Sequence, residues 1–344
     1  MAEIQFNDGA RIGDLQKPYI VAELNTSHFG NIDIAIKMID AAKAIGCDCV
    51  KFQSWSADSL YTQQYYQNNP IAKRMFEKFS FSNADLKKLS QYCQKSGISF
   101  ASTPYSKFEV DFLITECKVP FIKVASMDLN NYAYLDYIAK KDIPIILSTG
   151  MGDIDEIRKA VDTILSTGNE KLCILHCTSI YPANPDILQL NNILGLKEMF
   201  PTQPIGYSDH SIGTEIGCAA VALGACLLEK HFTLDSQRIG MDNQMAAEPE
   251  QMKLYIEQCQ TVFRALGSRD RVLYPEERDQ RCKMRRSLIF TNDLPAGATL
   301  TVEDLDAKRP GEGIPPEKYA YFIGKKLKNA VKRDTLIQLT DVCE

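Results

Sequence analysis

No apolar run in the 344-residue sequence approaches the length needed to cross a bilayer. The segment Met1 to Pro18 lacks the apolar centre of a secretory leader. The expectation is a cytoplasmic chain with no membrane partner. An excess of positive charge is also missing. Lys and Arg number 39 against 44 Asp and Glu, a net charge of −5. Surfaces that hold a nucleic-acid backbone are usually basic, so no nucleic-acid partner is expected, although a local basic site for a small anion stays open. The 11 cysteines are an odd number scattered along a chain long enough to bury a core without staples. They read as buried thiols of a reducing compartment. There is no internal repeat, no low-complexity segment, and no Gly-x-Gly-x-x-Gly after the first strand-like run, which weakens a dinucleotide-binding reading.

What is present is a recurrence of short runs rich in Val, Ile, Phe and Cys. They are Tyr19–Leu24, Asp48–Gln53, Ser99–Pro104, Phe121–Ser126, Pro144–Gly150, Leu172–Thr178, Pro204–His210 and Leu227–Thr233. Amphipathic stretches separate them, such as the one carrying Ile154, Ile157, Val161 and Ile164. Strands alternating with helices predict parallel βαβ units, and this number of runs fits a closed (β/α)8 TIM barrel over residues 1–266. An open doubly wound sheet is the alternative. The charged, Gly- and Pro-containing stretch 267–285 reads as a linker. From Arg286 to Glu344 the text becomes short strand pieces and Pro-rich turns, a domain close to the lower size limit for standing alone.

Polar residues concentrate at the carboxyl ends of the runs, where a barrel builds its active site. Two lysines lie inside strands. Val50 and Phe52 share one face and leave Lys51 and Gln53 on the other, while Ile122 and Val124 leave Lys123 opposite. The apolar face must meet the helices, so both lysines are expected to point into the barrel. A buried lysine needs a partner. That partner is either an anion shared by the two or structural carboxylates such as Glu23 and Glu229. Ser126, Ser148, Thr149 and Ser208 end strands and could serve that anion or act as helix N-caps.

The sequence has four histidines, of which His210 ends the seventh run and His231 lies near the end of the eighth. They suit either a divalent metal with open positions or a hydrogen-bonded polar rim. By strand parity His176 faces away from Cys173 and Cys177, so these three cannot chelate one ion, and the cysteines read as core. Asp209 and Lys230 should sit outside adjacent strands, behind the two histidines, and pair there.

The ordered set Val21-Ala22-Glu23-Leu24-Asn25, Lys51-Phe52-Gln53, Ser102-Thr103-Pro104-Tyr105, Lys123-Val124-Ala125-Ser126 and Leu147-Ser148-Thr149-Gly150-Met151 resembles the sialic acid synthase family. The family includes N-acetylneuraminate, legionaminate and pseudaminate synthases. The set continues with His176-Cys177-Thr178-Ser179-Ile180-Tyr181-Pro182, Ser208-Asp209-His210, Glu229-Lys230-His231-Phe232-Thr233 and Lys308-Arg309-Pro310-Gly311. Residues 286–344 resemble the family's small, β-rich antifreeze-like (SAF) domain.

The resemblance implies a metal-dependent condensation of phosphoenolpyruvate with an N-acyl amino-hexose, giving a nine-carbon 2-keto-3-deoxy acid and phosphate. It implies a manganese or magnesium ion on His210 and His231. Lys51, Thr103, Lys123, Ser126, Ser148, Ser179 and Ser208 match positions that hold phosphoenolpyruvate. Glu23, Tyr181 and Asp242 match positions that meet the sugar or order the site, and Glu229 matches a carboxylate that assists water or a proton. The implied partner is a second copy of the chain in a domain-swapped homodimer, through which Arg309 reaches the N-acyl side of the sugar.

Departures from the family pattern are Gly240-Met241-Asp242-Asn243, Asp128, Tyr105 and the stretch Tyr61–Phe81, which point to a sugar-side difference. A related synthase acting on a phosphosugar would need more arginine. Only Arg11, Arg74 and Arg158 precede Arg238, none at a strand end. A sugar- or ice-binding module without catalysis would have no use for both lysines, both histidines and Glu229.

Overall fold

The structure, a computed structural model, describes residues 2–343. The chain divides into two compact units, Met1–Gly267 and Ser268–Glu344. In the first, an antiparallel hairpin of β1 (Glu3–Gln5) and β2 (Arg11–Gly13) precedes eight parallel strands. These are β3 (Tyr19–Glu23), β4 (Cys49–Ser54), β5 (Ser99–Pro104), β6 (Ile122–Val124), β7 (Ile145–Ser148), β8 (Leu172–Cys177), β9 (Ile205–Asp209) and β10 (Leu227–His231). Each pairs with the next, and β10 returns to β3 to close the barrel. The open-sheet alternative is thereby excluded.

Alternation of side chains along each strand sorts the barrel into two cores. Outward residues such as Ile20, Val50, Phe52, Ile122, Val124, Ile174 and Leu228 meet the helices in one continuous cluster. Inward residues of the lower half, among them Val21, Cys49, Phe121, Ile146, Cys173 and Leu227, pack on Ile4, Phe6 and Ile12 of the hairpin. The Phe6 ring lies 4.6 Å from that of Phe121. The hairpin therefore plugs the amino-terminal end of the barrel. This interior is full: a Cβ on Gly206 would fall 2.5 Å from a Leu175 methyl and 2.7 Å from the Leu227 carbonyl oxygen, so β9 passes only because this residue is glycine.

Helix starts are set by side-chain caps. Asn31 caps Ile32–Ala44 and Ser82 caps Asn83–Ser96. Asp153 and Glu156 form a reciprocal capping box for Ile154–Leu165. The aromatic stretch 61–81 folds as short helices, with Tyr66 and Phe76 buried and Tyr61 stacked on Tyr65 at 4.3 Å.

In the second unit, β11 (Ser287–Phe290) pairs antiparallel with β12 (Leu305–Lys308). Its core is Leu288, Phe290, Leu300, Leu305, Phe322, Leu327, Ile337 and Val342. The segment read as a linker contains a 10-residue helix, Pro275–Met284, with no buried residue. No helix among the described residues is long and apolar enough to cross a membrane.

Candidate active site

Above the apolar layer, the inward positions change character together. All eight barrel strands contribute inward residues here: Glu23, Lys51, Thr103, Lys123, Ser148, Cys177, Ser208 and Glu229. They line a cavity of about 270 Å³ at the carboxyl ends of the strands. Ser126, Ser179, Tyr181, His210, His231 and Asp242 also line it, as do Gln53 and Tyr105. Every barrel residue singled out from the resemblance thus faces one space, whereas Arg309 belongs to the second unit and is not among the lining residues. Larger hollows of about 760 and 650 Å³ lie near the hairpin and near Ser99, and one of about 670 Å³ is lined by His176 and Ser179, but none of them gathers two histidines with two lysines and two glutamates. Chemistry rather than size marks the smaller one.

The two lysines point inward and are almost wholly buried. Lys51 contacts Glu23, lies 3.7 Å from Glu229 and donates to Thr103 Oγ1 at 3.2 Å. Lys123 donates to Ser148 Oγ at 2.7 Å and lies 3.5 Å from Glu229. Two cations therefore face two carboxylates, and the lysines have the structural partners that the sequence left as one of two options. Burial pushes the Glu229 carboxyl up, but Lys123 and then Lys51 outweigh it and hold the group at about 2. Glu23 moves the other way: burial raises it, Lys51 opposes, and Glu229 adds to the rise. The two carboxyl groups of one cluster are pushed apart, as an acid/base pair requires.

Hydroxyls flank the lysines. Ser126 Oγ accepts from the Gly150 N–H at 3.1 Å, and Ser208 Oγ donates to Glu229 at 3.0 Å. None of Ser126, Ser148, Thr149 or Ser208 caps a helix. The helix after β7 starts on Asp153 and that after β9 on Thr214. Thr149 is spent on the Leu175 carbonyl at 2.9 Å. A Cβ on Gly150 would lie 2.2 Å from Ser179 Oγ and 2.8 Å from Ser126 Oγ. Gly150→Ala should fold yet crowd this hydroxyl wall, at a cost of about 1–3 kcal/mol. Inorganic phosphate, titrated calorimetrically, should then bind roughly tenfold more weakly. Equal binding would show that Ser126 and Ser179 are not an anion wall.

His210 and His231 sit with ring centroids 5.4 Å apart, and Tyr181 lies 4.2 Å from the first. His210 Nδ1 lies 2.8 Å from the Thr178 carbonyl oxygen, so Nδ1 carries the proton and in the neutral ring Nε2 keeps its lone pair; burial lowers the ring's pKa, but Cys177 and the Thr178 carbonyl outweigh it and raise it above the usual imidazole range. The His231 ring has no hydrogen-bond partner among the described residues, and burial, with His210 and Lys51 adding, holds it well below the usual imidazole range. No group of three or more His, Cys, Asp or Glu close enough to enclose a metal occurs among the described residues. Two imidazoles opening on one cavity nevertheless fit a divalent ion that completes its shell with water or substrate oxygen.

Several features escaped the sequence reading. Cys173 is core, but Cys177 is not: it lines the cavity, with Sγ 3.6 Å from Ser126 Oγ and 4.0 Å from His210 Nδ1. Its parity with Cys173 held, yet the wall changes from core to cavity between the two. His176 faces outward, as parity required, and meets the Leu188 carbonyl at 2.6 Å. Tyr105 donates to Gln53 at 3.0 Å, and Gln53 donates to Glu23 at 3.3 Å. Asn25 donates to both Glu23 and Asp242, through its backbone and its side chain. The parity argument that turned Lys51 inward also turned Gln53, but gave it no role.

A model of the NeuB family matches residues 38–271, and one of the SAF domain matches residues 285–342. Among curated relatives, N-acetylneuraminate-9-phosphate synthase of Mus musculus is 36% identical, covering 97% of this chain and 95% of its own length. N,N'-diacetyllegionaminic acid synthase of Legionella pneumophila is 35% identical, covering 93% of each. Among solved structures, the N-acetylneuraminic acid synthetase of Leptospira borgpetersenii, in complex with citrate, superposes with a TM-score of 0.74 at 30% identity, over 81% of this chain and 94% of that one.

Proposed function

The chain belongs to the NeuB family and is a carbon–carbon bond-forming enzyme of the sialic acid synthase type, and from that premise we propose that it condenses phosphoenolpyruvate with an N-acyl amino-hexose in this cavity. The observation that carries the reading is the convergence of two lysines, two carboxylates and two imidazoles in one space of about 270 Å³. Lys51 and Lys123, with the hydroxyls of Ser126, Ser148 and Ser179, hold the phosphate and carboxylate of phosphoenolpyruvate. As that anion enters, the lysines lean toward it and the hold on Glu23 and Glu229 relaxes.

Carbon 3 of the enol attacks the open-chain aldehyde of the hexose, whose oxygen takes up a proton. Water adds at carbon 2, and phosphate leaves with the bridging oxygen. Glu23, whose proton is the more tightly held of the two and whose carboxyl is oriented by N–H groups of Gln53 and Asn25, is placed to move protons on the sugar side. Glu229, bonded to Ser208, stays charged and orders water beside carbon 2. His210 and His231 would hold a manganese or magnesium ion, which would supply Lewis acidity to the aldehyde.

The sugar is proposed to be an unphosphorylated N-acyl amino-hexose, N-acetylmannosamine or a di-N-acetylated deoxyhexose. The mouse relative, by its name, makes a phosphorylated product, but no arginine lines this cavity and both of its lysines are already matched by carboxylates.

A domain-swapped homodimer is proposed as the working assembly. Support comes from exposed apolar residues on the loops after the strands, including Met151, Ile180, Ile212 and Ile239. In that assembly Arg309 of one protomer meets the N-acyl side of the sugar in its partner. Arg309→Ala should then raise the sugar KM by about 10- to 100-fold, the loss of one charge-assisted contact, and leave the KM for phosphoenolpyruvate unchanged. Equal effects on both would count against the swap.

The test of the whole reading is incubation with phosphoenolpyruvate and a panel of amino-hexoses. Phosphate release and product mass are followed with and without EDTA. Phosphate should appear only with both sugar and metal, together with a nine-carbon acid, and manganese should restore the chelated enzyme. Release without sugar would refute the condensation, and full activity after chelation would remove the ion.

A further inference from the structure

Behind the two histidines, on the helix side of the barrel, lies a buried ion pair that touches no part of the cavity. Lys230 Nζ donates to Asp209 Oδ2 at 3.0 Å and to the Ser211 carbonyl at 2.8 Å, and sits 5.0 Å over the Tyr255 ring. Asp209 Oδ1 in turn accepts from the Ser211 N–H at 2.9 Å and from its hydroxyl at 2.6 Å. Both charged side chains are at most 4% exposed. Asp209 and Lys230 are register partners, the last pair in the β9–β10 ladder. The next residue in the chain after each is a histidine, His231 ending β10 and His210 just past the end of β9, and the alternation that turns the pair outward turns both imidazoles inward.

Ordinary packing does not account for this arrangement. An apolar pair of the same size would usually stabilise a core as well or better, because removing two charges from water costs several kcal/mol. What the ion pair adds is fixed geometry. His210 is bracketed by Asp209 and Ser211, both tied to the same cluster, and its own Nδ1 is fixed on Thr178. His231 is bracketed by Lys230 and by Phe232, whose N–H bonds the Glu23 carbonyl at 2.8 Å. The separation of the two rings, 5.4 Å, is thus set where the ladder ends, a place where strands otherwise splay.

We infer that Asp209 and Lys230 are positioning residues which, through Ser211, lock the spacing of the His210 and His231 imidazoles for ion binding. The inference rests on the reading of those histidines as ion ligands. It is tested on the full-length chain, freed of metal, by titrating Mn2+ and following the free ion by electron paramagnetic resonance. Phosphoenolpyruvate binding and the thermal midpoint are measured alongside.

The double variant Asp209→Asn/Lys230→Met strands no buried charge. It should melt near the wild type and bind phosphoenolpyruvate normally, while its Kd for Mn2+ rises about 10- to 100-fold. Ser211→Ala, which removes one hydroxyl and cannot unfold the barrel by charge, should raise that Kd about threefold, and it carries the test if the double variant does not fold. An unchanged Mn2+ Kd in the folded variant overturns the inference. So does an equal weakening of Mn2+ and phosphoenolpyruvate, which a merely structural role would produce. A wild type that binds no Mn2+ removes both the inference and the ion reading beneath it, and is told apart from the other failures by that control.

Discussion

In His231→Ala, turnover is expected to fall by on the order of 10³-fold or more, while the protein stays folded. The imidazole is buried, held neutral and without a hydrogen-bond partner among the described residues. Its removal leaves no orphaned donor behind, only a space open to the cavity. The cost in stability should be about 1–2 kcal/mol, a shift of a few degrees in the thermal midpoint. His210→Ala should lose as much turnover but somewhat more stability, because the Thr178 carbonyl loses one of its two donors and keeps only the Ile180 N–H. Phosphoenolpyruvate should still bind in both, since Lys51, Lys123 and Ser148 are untouched. Turnover, anion binding and melting are three separate readings, so a lost activity cannot be mistaken for a lost fold. Wild-type turnover in either variant would mean that the histidines are rim residues, the option the sequence left open.

Much of this site was legible beforehand because strand parity is a strict rule. Val50 and Phe52 could not face a cavity, so Lys51 had to, and the same logic sent Asp209 and Lys230 outward. Their contact at 3.0 Å is what parity required once β9 and β10 were adjacent. What stayed hidden depends on height along the barrel axis rather than on face. Cys173 and Cys177 share a face, yet one is packed under the hairpin's plug and the other looks into the cavity. No periodicity reports where the lower layer stops. The plug itself was invisible for a related reason: Glu3–Gln5 and Arg11–Gly13 are too short to show alternation. The bond from Tyr105 to Gln53 joins residues 52 apart and arises from a loop after β5. Such loops are positioned by tertiary packing, here of Trp55 against Tyr105, not by local pattern.

Lys51→Met is the change expected to be most damaging overall, and it decides between the two roles the sequence allowed this lysine. Lys51 is matched to Glu23 and stands 3.7 Å from Glu229. Without it, two buried carboxylates share Lys123 alone, and breaking such a pair from one side costs about 3–5 kcal/mol. A single variant would therefore lose stability and activity together and settle nothing. Adding Glu23→Gln restores the charge match, since one cation then faces one carboxylate. Most of the lost stability should return in Lys51→Met/Glu23→Gln, read from denaturant unfolding. Phosphoenolpyruvate binding should not return, because an ammonium that takes part in holding the anion has no substitute in a thioether. If the double variant regains both stability and affinity for phosphoenolpyruvate, Lys51 exists only to neutralise its carboxylates. The anion would then be held by Lys123 and the hydroxyl wall alone.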